Sequence, residues 1–279
     1  MRFAKMHGLG NDFIMVEAAW DDEFLKREAK HLCDRYMGIG ADGVILYGRG
    51  EEADLYMRIY NSDGSEAAMC GNATRCLGVL AYESDYVKKD TITVDTKGGR
   101  KILSLKINEE DRVESVTVNM GVPVLTAKDI PAITESERFI DGAYRASGMD
   151  VRGTLVNMGN PHSVVFVDDA AALDLKAIGP GFECHPMFPD RINTEFVTAL
   201  PDGSFQMRVY ERGAGETLAC GTGACAVMVA ACLLGKAKDH AIIRLAGGDL
   251  RLSWAGEGQP VFMEGPAVWV YDGELKREE

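Results

Sequence analysis

Two segments of this 279-residue chain repeat one another at an offset of 150 residues. MRIYNSDGSEAAMCGN (57–72) lies over MRVYERGAGETLACGT (207–222), and Met, Arg, Tyr, Glu, Cys and Gly coincide without a gap. Each copy reads as a strand, a glycine-containing loop, a cysteine and the start of a helix. The period is too long for a solenoid. It predicts a duplicated domain, with the boundary near residues 120–123.

Short strands separated by turn residues occupy most of both halves. The predicted strands are 13–17, 43–48, 55–61, 91–96, 101–107, 115–120, 162–168, 192–200, 204–211, 241–247, 249–256 and 267–273. Helical spacing is found in three segments, 21–37, 71–86 and 221–234. The pattern predicts an α+β protein in which many strands of each half surround a helix.

Composition narrows the possible functions. The chain has a formal net charge of −13, which disfavours binding to nucleic acid or to an anionic membrane surface. No apolar run reaches the roughly 20 residues that span a bilayer, and the N-terminus does not read as a signal peptide. The seven cysteines are an odd number, which favours reduced thiols and a cytoplasmic protein over a disulfide framework.

The repeat singles out Cys70 and Cys220, each at the predicted start of a helix. Amides at a helix N-terminus carry partial positive charge, so we expect them to lower a thiol pKa from about 8.5 toward neutrality. The same amides can hold a carboxylate. If the two halves are related by a pseudo-two-fold axis, the cysteines would lie on opposite sides of one α-carbon. One thiolate would then remove a proton while the opposite thiol supplies another.

The cysteines also admit packing, metal-binding and redox interpretations. A free cysteine is often a small buried hydrophobic residue, and that interpretation is given to Cys33, Cys76, Cys184, Cys225 and Cys232. The spacings do not suit a structural zinc site, and Gly221-Thr222-Gly223 fits no nucleotide-binding loop. Oxidation of Cys70 and Cys220 to a disulfide stays open as a side reaction.

The motifs resemble those of diaminopimelate epimerase. They are MHGLGNDFIMVE, NSDGSEAAMCGNATRC, NMGNPHSVVFV, RINTEFV and YERGAGETLACGTGACA, in this order. The resemblance extends from Lys5 to about Glu264. It implies an enzyme without cofactor or metal that interconverts LL- and meso-diaminopimelate in lysine and peptidoglycan-precursor synthesis. It also implies a cytoplasmic homodimer of two pseudo-symmetric barrel domains, 1–120 with 263–279 returning to it and 121–262, with the active site in the cleft between them.

Carried over position by position, the resemblance makes Cys70 and Cys220 the catalytic acid–base pair. The implied substrate-binding residues are Asn11, Asn61, Gly71, Asn72, Asn160, Asn193, Glu211, Arg212, Gly221 and Thr222. His162 and Glu211 are implied to tune the protonation of the thiols. A distal carboxylate of the substrate suits Arg212, and a distal ammonium suits Glu211 and amide oxygens.

Some positions leave alternatives open. Asparagine is common in turns such as those of Asn11 and Asn61 for backbone reasons alone, and Glu211 and Arg212 could form a surface pair. Gly43 stands where many relatives have Gln, and Met69 also departs from the family pattern. The rival functions are another cofactor-independent amino-acid racemase on the same scaffold and, from a different class, a thiol-redox or binding protein.

Overall fold

The computed structural model describes residues 2–18 and 22–276. The chain divides into two compact units, Met1–Asn119 with Glu264–Glu279 and Met120–Met263. These bounds differ by one residue from those expected from the sequence. Residues from both ends of the chain therefore build the first unit, whereas the second unit is continuous.

The first unit contains two helices and a series of strands. Its elements are β1 (Arg2–Gly8), β2 (Asn11–Glu17), α1 (Asp22–Cys33), β3 (Gly43–Arg49), β4 (Leu55–Asn61), β5 (Glu66–Ala67), α2 (Gly71–Glu83), β6 (Thr91–Thr96), β7 (Gly99–Ile107) and β8 (Val113–Gly121). The last strand of the chain, β18 (Val268–Glu274), pairs antiparallel with β1. Strands β2 and β3 pair in parallel, as do β4 and β6.

The second unit repeats this order of elements. It contains a 3-10 turn (Ala127–Asp129), β9 (Gly142–Ala146), β10 (Met149–Asn157), β11 (Pro161–Phe166), α3 (Leu175–Glu183), β12 (Asn193–Ala199), β13 (Phe205–Glu211), β14 (Gly215–Thr217), α4 (Gly221–Leu233), β15 (His240–Leu245), β16 (Gly248–Trp254) and β17 (Val261–Gly265). Strands β11 and β12 pair in parallel, and so do β13 and β15. These are the pairings of β2 with β3 and of β4 with β6 in the first unit, so the duplication predicted from the repeat is confirmed.

Each unit surrounds its second helix with strands. Helix α2 contacts β1, β2, β7 and β18, and α4 contacts β10, β11, β12, β15 and β16. Both helices are apolar on nearly every face and are buried from Gly71 to Tyr82 and from Gly223 to Ala231. A helix that is hydrophobic all round must be covered on all sides, which is why strands enclose it. This enclosure fixes the N-terminus of each helix, and with it the preceding cysteine.

The predicted elements were largely confirmed, with differences that have local causes. All twelve predicted strands are present, and the segment expected to be helical up to residue 37 ends at Cys33. There the Asp34 carboxylate accepts the amides of Tyr36 and Met37 and replaces the next helical turn. The start of that prediction, Asp21, lies outside the described residues. Helix α3 was not predicted because it contains Gly-Pro-Gly, which usually marks a turn.

Candidate active site

Cys70 and Cys220 occupy the same position in their units. Each is the extended residue directly before the central helix, with φ −143° at Cys70 and −128° at Cys220. The carbonyl of each cysteine accepts the amide four residues on, from Thr74 and Ala224. The first amides of an α-helix have no intrahelical acceptor, so those following each cysteine can bind an anion. Both units thus place a thiol beside an anion-binding helix terminus.

In the first unit, the Cys70 thiol lies within an amide network. Its Sγ donates to Asn11 Oδ1 at 3.7 Å, and Asn72 Nδ2 donates to the same oxygen at 3.0 Å. Cys70 is partly exposed, whereas Asn72 is buried in the first turn of α2. Three of the residues implied by the resemblance are therefore brought into direct contact.

Asp42 fixes the orientation of the Asn11 amide. Asn11 Nδ2 donates to Asp42 Oδ2 at 2.8 Å, which turns Asn11 Oδ1 toward Cys70. Asp42 itself is held by Arg35, whose guanidinium also contacts Asp12. At the neighbouring Gly43, a Cβ would come within 2.9 Å of the Tyr60 carbonyl, so glutamine at this position would need the backbone to move.

The fully buried guanidinium of Arg75 holds the Asn72 side chain of this amide network. Arg75, one turn into α2, donates to Asn72 Oδ1 at 2.9 Å and to the Pro266 carbonyl at 3.2 Å. Space for it depends on Gly8, where a Cβ would lie 3.0 Å from the guanidinium and 3.1 Å from Asn72 Cβ. The side chain at position 72 is thus tied on one side to Asn11 and on the other to a buried positive charge.

In the second unit, the environment of Cys220 is acidic and enclosed. Burial, followed by the charges of Glu211 and Glu195, raises the pKa of the Cys220 thiol well above its usual value. The Thr222 hydroxyl, 3.6 Å from Sγ, and the Gly223 amide act in the opposite direction but are outweighed. The expected lowering of this pKa by the helix terminus is therefore wrong for Cys220, because desolvation and two carboxylates oppose it.

This raised pKa gives a test of stability against pH. A group whose pKa is higher in the folded state contributes stability below its unfolded pKa and loses it as the pH rises toward the folded value. We expect the unfolding free energy of the wild type to fall more steeply above about pH 9 than that of Cys220→Ser, by up to ~1.4 kcal/mol per pH unit. Urea unfolding at pH 8 and pH 10 measures the difference. Parallel losses in both proteins would contradict the assignment.

Two buried residues connect β11 to β12 close to Cys220. His162 Nδ1 lies 2.7 Å from Glu195 Oε1, and neither side chain has solvent exposure. The other ring nitrogen, Nε2, lies 2.9 Å from Asn160 Oδ1. A Cβ at Gly223 would fall 2.6 Å from Glu195 Oε1 and 3.2 Å from Cys220 Sγ, so both side chains converge on this glycine. His162 is therefore part of a buried polar cluster beside the thiol.

Arg212 is exposed and its charge is not neutralised by a neighbour. Among residues 2–18 and 22–276, no carboxylate forms an ion pair with it, and its guanidinium contacts only the Asp190 carbonyl at 3.2 Å. Its backbone amide donates to Asn193 Oδ1 at 3.0 Å. The adjacent Glu211 accepts the Thr217 hydroxyl instead, so the proposed surface pair of Glu211 with Arg212 is not present.

The remaining asparagines have different surroundings. Asn193 is buried, with its Nδ2 donating to the Pro161 carbonyl and its Oδ1 accepting the Arg212 amide. Its side chain thus connects the first residue of β11 with the residue that follows β13. Asn61 lies at the end of β4, where its Nδ2 donates to Ser65 Oγ at 3.0 Å. Both asparagines therefore have backbone or turn partners in addition to any contact with substrate.

The other cysteines differ from this pair. All seven cysteines lie within the described residues and are free thiols. Burial raises the pKa of Cys33 to about 11 and that of Cys76 to about 12, so both are poor nucleophiles at neutral pH. This agrees with the packing role expected for Cys33 and Cys76 from the sequence. The same expectation is wrong for Cys184, which is exposed.

Sequence reasoning missed Asp42 and Glu195. Glu195 had a weak signal, because it stands directly before Phe196 and Val197 in a predicted strand, where burial of an unpaired charge would be costly. Asp42 had no such signal, since an aspartate before a strand is ordinary in a loop. Its contact with Asn11 depends on the parallel pairing of β2 and β3.

The chain was compared with known proteins. The family model described as diaminopimelate epimerase matches residues 3–126 and 154–270. The chain belongs to this family. Curated relatives named diaminopimelate epimerase include those of Methanococcus maripaludis, 45% identical over 99% of both chains, and Acetivibrio thermocellus, 46% identical over 100% of both. A third, from Phocaeicola vulgatus, is 47% identical over 99% of this chain and 98% of its own.

Solved structures share the fold at lower sequence identity. A PhzF-family phenazine biosynthesis protein of Bacillus anthracis has a TM-score of 0.72 at 17% identity, covering 99% of both chains. A probable proline racemase of Agrobacterium radiobacter has a TM-score of 0.72 at 15% identity, covering 99% of this chain and 93% of its own. The diaminopimelate epimerase family therefore uses a duplicated α+β fold that is also found in these proteins. No helix in the described part of the chain is long and apolar enough to cross a membrane.

Proposed function

We propose that this protein epimerises diaminopimelate at one α-carbon, with Cys70 and Cys220 as an acid–base pair. The observation that supports this most directly is the presence of one thiol at the same helix N-terminus in each unit. The family assignment adds the substrate class. The reaction needs no cofactor, because the α-proton leaves to one sulfur while a proton from the other sulfur enters on the opposite face.

The amides at both helix termini are proposed to hold the substrate carboxylate. As the α-proton leaves, the carboxylate takes on negative charge, and amides of Gly71, Asn72, Gly221 and Thr222 stabilise it. These donors are fixed before the reaction because α2 and α4 are enclosed by strands. Their contribution is therefore greater than that of water molecules, which would have to reorient.

Cys220 is proposed to begin the reaction as a thiol. The raised pKa of Cys220 keeps it as the proton-donating thiol at neutral pH. In the reverse direction, the nearby Glu211 would accept its proton, and His162 would act on the thiol through the buried cluster. Their roles as tuning residues follow from the charge at Glu211 and from the position of His162 in the buried cluster.

The distal amino-acid end of the substrate is proposed to bind the unneutralised Arg212. A guanidinium binds carboxylate through paired hydrogen bonds, and Glu211 with the amides of Asn11, Asn61, Asn160 and Asn193 would hold the distal ammonium. This set would favour a substrate with two amino-acid ends over a single amino acid.

Replacement of Arg212 tests the distal contact. We expect Arg212→Ala to lower kcat/KM for LL-diaminopimelate by about 10²-fold, because a charge-assisted contact contributes roughly 1.5–3 kcal/mol. Slow racemisation of a short amino acid, where measurable, should change little. The control is Arg244→Ala, which removes another exposed arginine, one paired with Asp202. Equal losses for the two substrates would remove Arg212 from the distal site.

Solvent exchange tests the reaction itself. In deuterated water without pyridoxal phosphate, LL-diaminopimelate should give meso product carrying solvent deuterium at one α-carbon, detected by NMR and mass spectrometry. Product that retains the original hydrogen would contradict two separate bases. A panel of single amino acids that includes proline and hydroxyproline tests the second candidate function, another amino-acid racemase of this fold. The fold shared with the probable proline racemase is the observation that favours this candidate.

We further propose a cytoplasmic homodimer acting in lysine and peptidoglycan-precursor synthesis. Strand β18 exposes three apolar side chains, Val268, Val270 and Tyr271, which a second copy could cover. Light scattering should give twice the chain mass. A monomer at micromolar concentration would refute the dimer without affecting the proposed chemistry.

A further inference from the structure

The buried carboxylate of Glu195 is not assigned by the proposed mechanism. Its Oε1 lies 2.7 Å from His162 Nδ1, and its Oε2 has no hydrogen-bond partner among residues 2–18 and 22–276. The residue has no solvent exposure. A carboxylate in this position would bury a charge with one oxygen unpaired, which is costly.

Strand pairing places the two side chains together. In the parallel pairing of β11 with β12, His162 lies opposite Asn193 and Val164 opposite Glu195. Alternate residues of a strand point to the same face, so His162 and Glu195 project from one face of the paired strands. Their contact is thus determined by register as well as by side-chain conformation.

The side-chain oxygen of Asn160 determines which atoms donate in the two hydrogen bonds of His162. The oxygen of an amide only accepts, so the contact between Asn160 Oδ1 and His162 Nε2 requires the proton on Nε2. A neutral imidazole with its proton on Nε2 has an acceptor at Nδ1. The alternative, an imidazolium against a carboxylate, would bury a negative charge whose Oε2 has no partner in the described part of the chain, so the proton belongs on the Glu195 carboxyl, which donates it to Nδ1. Consistently, burial raises the pKa of Glu195 and the charge of Glu211 raises it further, against the opposing effect of His162.

We propose that Glu195 is a positioning residue that donates a hydrogen bond to His162 Nδ1 and thereby fixes the imidazole proton on Nε2. The Nε2 proton in turn holds Asn160 Oδ1, which leaves Asn160 Nδ2 as a donor without an acceptor in the described part of the chain. Asn160 therefore presents a donor, suited to an oxygen of a carboxylate substrate. The inference rests on the proposed function only in naming that substrate.

Other titratable groups face this cluster from neighbouring elements. Cys220 precedes α4, and Glu211 ends β13. Tyr144 on β9 forms a hydrogen bond with Ser163 at 2.9 Å. Any change in the protonation of Glu195 would therefore also reach the thiol. For that reason the test measures the tautomer of His162 as well as the activity.

Two substitutions at Glu195 separate hydrogen bonding from packing. Glu195→Gln keeps a donor for Nδ1, whereas Glu195→Met keeps a similar volume without one. We expect the Gln variant to retain kcat/KM within about threefold and the Met variant to lose about 10- to 100-fold, the range found when a residue that orients a functional side chain is removed. Nitrogen-15 NMR should show His162 protonated on Nε2 in the wild type and the Gln variant, and a mixture of tautomers in the Met variant.

Tyr144→Phe is the matched control, because it removes a different buried hydrogen bond in the same core. It should lower stability without changing the His162 tautomer. The proposal is overturned if the wild-type histidine is not protonated on Nε2, if Gln is no better than Met, or if Met retains both tautomer and activity. A wild type without epimerase activity would refute the proposed function, while the NMR result would still decide the role of Glu195.

Discussion

Replacing either Cys70 or Cys220 by alanine should reduce epimerisation of LL-diaminopimelate by about 10⁴-fold, since a proton-transfer group contributes up to that factor. A stereoinversion through two bases has no alternative route when one base is missing, because the proton must be taken from one face and supplied to the other. Both single variants should therefore lose activity to a similar extent. Coupled enzyme assay or NMR of the isomer ratio measures the loss.

The control for these variants is Cys184→Ala, which removes an exposed cysteine elsewhere in the second unit. It should match the wild type in rate and stability. A Cys70→Ala protein that epimerises near the wild-type rate would exclude the two-base mechanism. The variants should also keep their folds, since Cys70 lies partly exposed and alanine leaves little unfilled volume at Cys220. Circular dichroism would verify this.

The second large effect is expected at Gly223 in the first turn of α4. An alanine methyl would lie 2.6 Å from Glu195 Oε1 and 3.2 Å from Cys220 Sγ. Both side chains would have to move, and displacement of a reacting group by about 1 Å can cost 10²-fold or more. Because the amides proposed to bind the substrate carboxylate are in the same turn, we expect Gly223→Ala to lower kcat by about 10³-fold.

Gly78→Ala in α2 is the corresponding control. It adds a methyl to a buried helical glycine, 3.2 Å from Leu103 and Leu105, away from Cys70. It should change the unfolding temperature but leave kcat within about threefold, because overpacking a core typically costs 1–3 kcal/mol of stability. Equal kinetic losses at positions 78 and 223 would show that helix packing, rather than the thiol environment, is what the Gly223 variant disturbs.

Much of the fold could be predicted because the repeat and the strand periodicity are local. The offset of 150 residues identified equivalent cysteines, and the central helices were found from their apolar runs. Strand β1, in contrast, was missed, since its alternation is interrupted by Lys5, which is buried and paired with Asp12. Helix α3 was missed because a proline and two glycines obscure its spacing.

The equivalent positions of Cys70 and Cys220 could be predicted from the sequence, but the electrostatics around Cys220 could not. Helix position alone suggested a lowered thiol pKa at residue 220. The raised pKa of Cys220 is caused first by burial and then by Glu211 and Glu195, which lie on the strands β13 and β12. Long-range proximity of this kind depends on the register of β11, β12 and β13, and a single sequence does not specify that register. The role of Asp42 beside Asn11 was missed for the same reason.

The return of the chain end to the first unit has a consequence for synthesis on the ribosome. Strand β1 pairs with β18, and the buried guanidinium of Arg75 donates to the Pro266 carbonyl. Neither partner exists until residues 266–274 have been translated. While the continuous second unit is being made, the N-terminal half therefore has one open edge of β1. It also lacks the Pro266 carbonyl as an acceptor for Arg75. Chaperone dependence and aggregation during expression should accordingly originate in the N-terminal half.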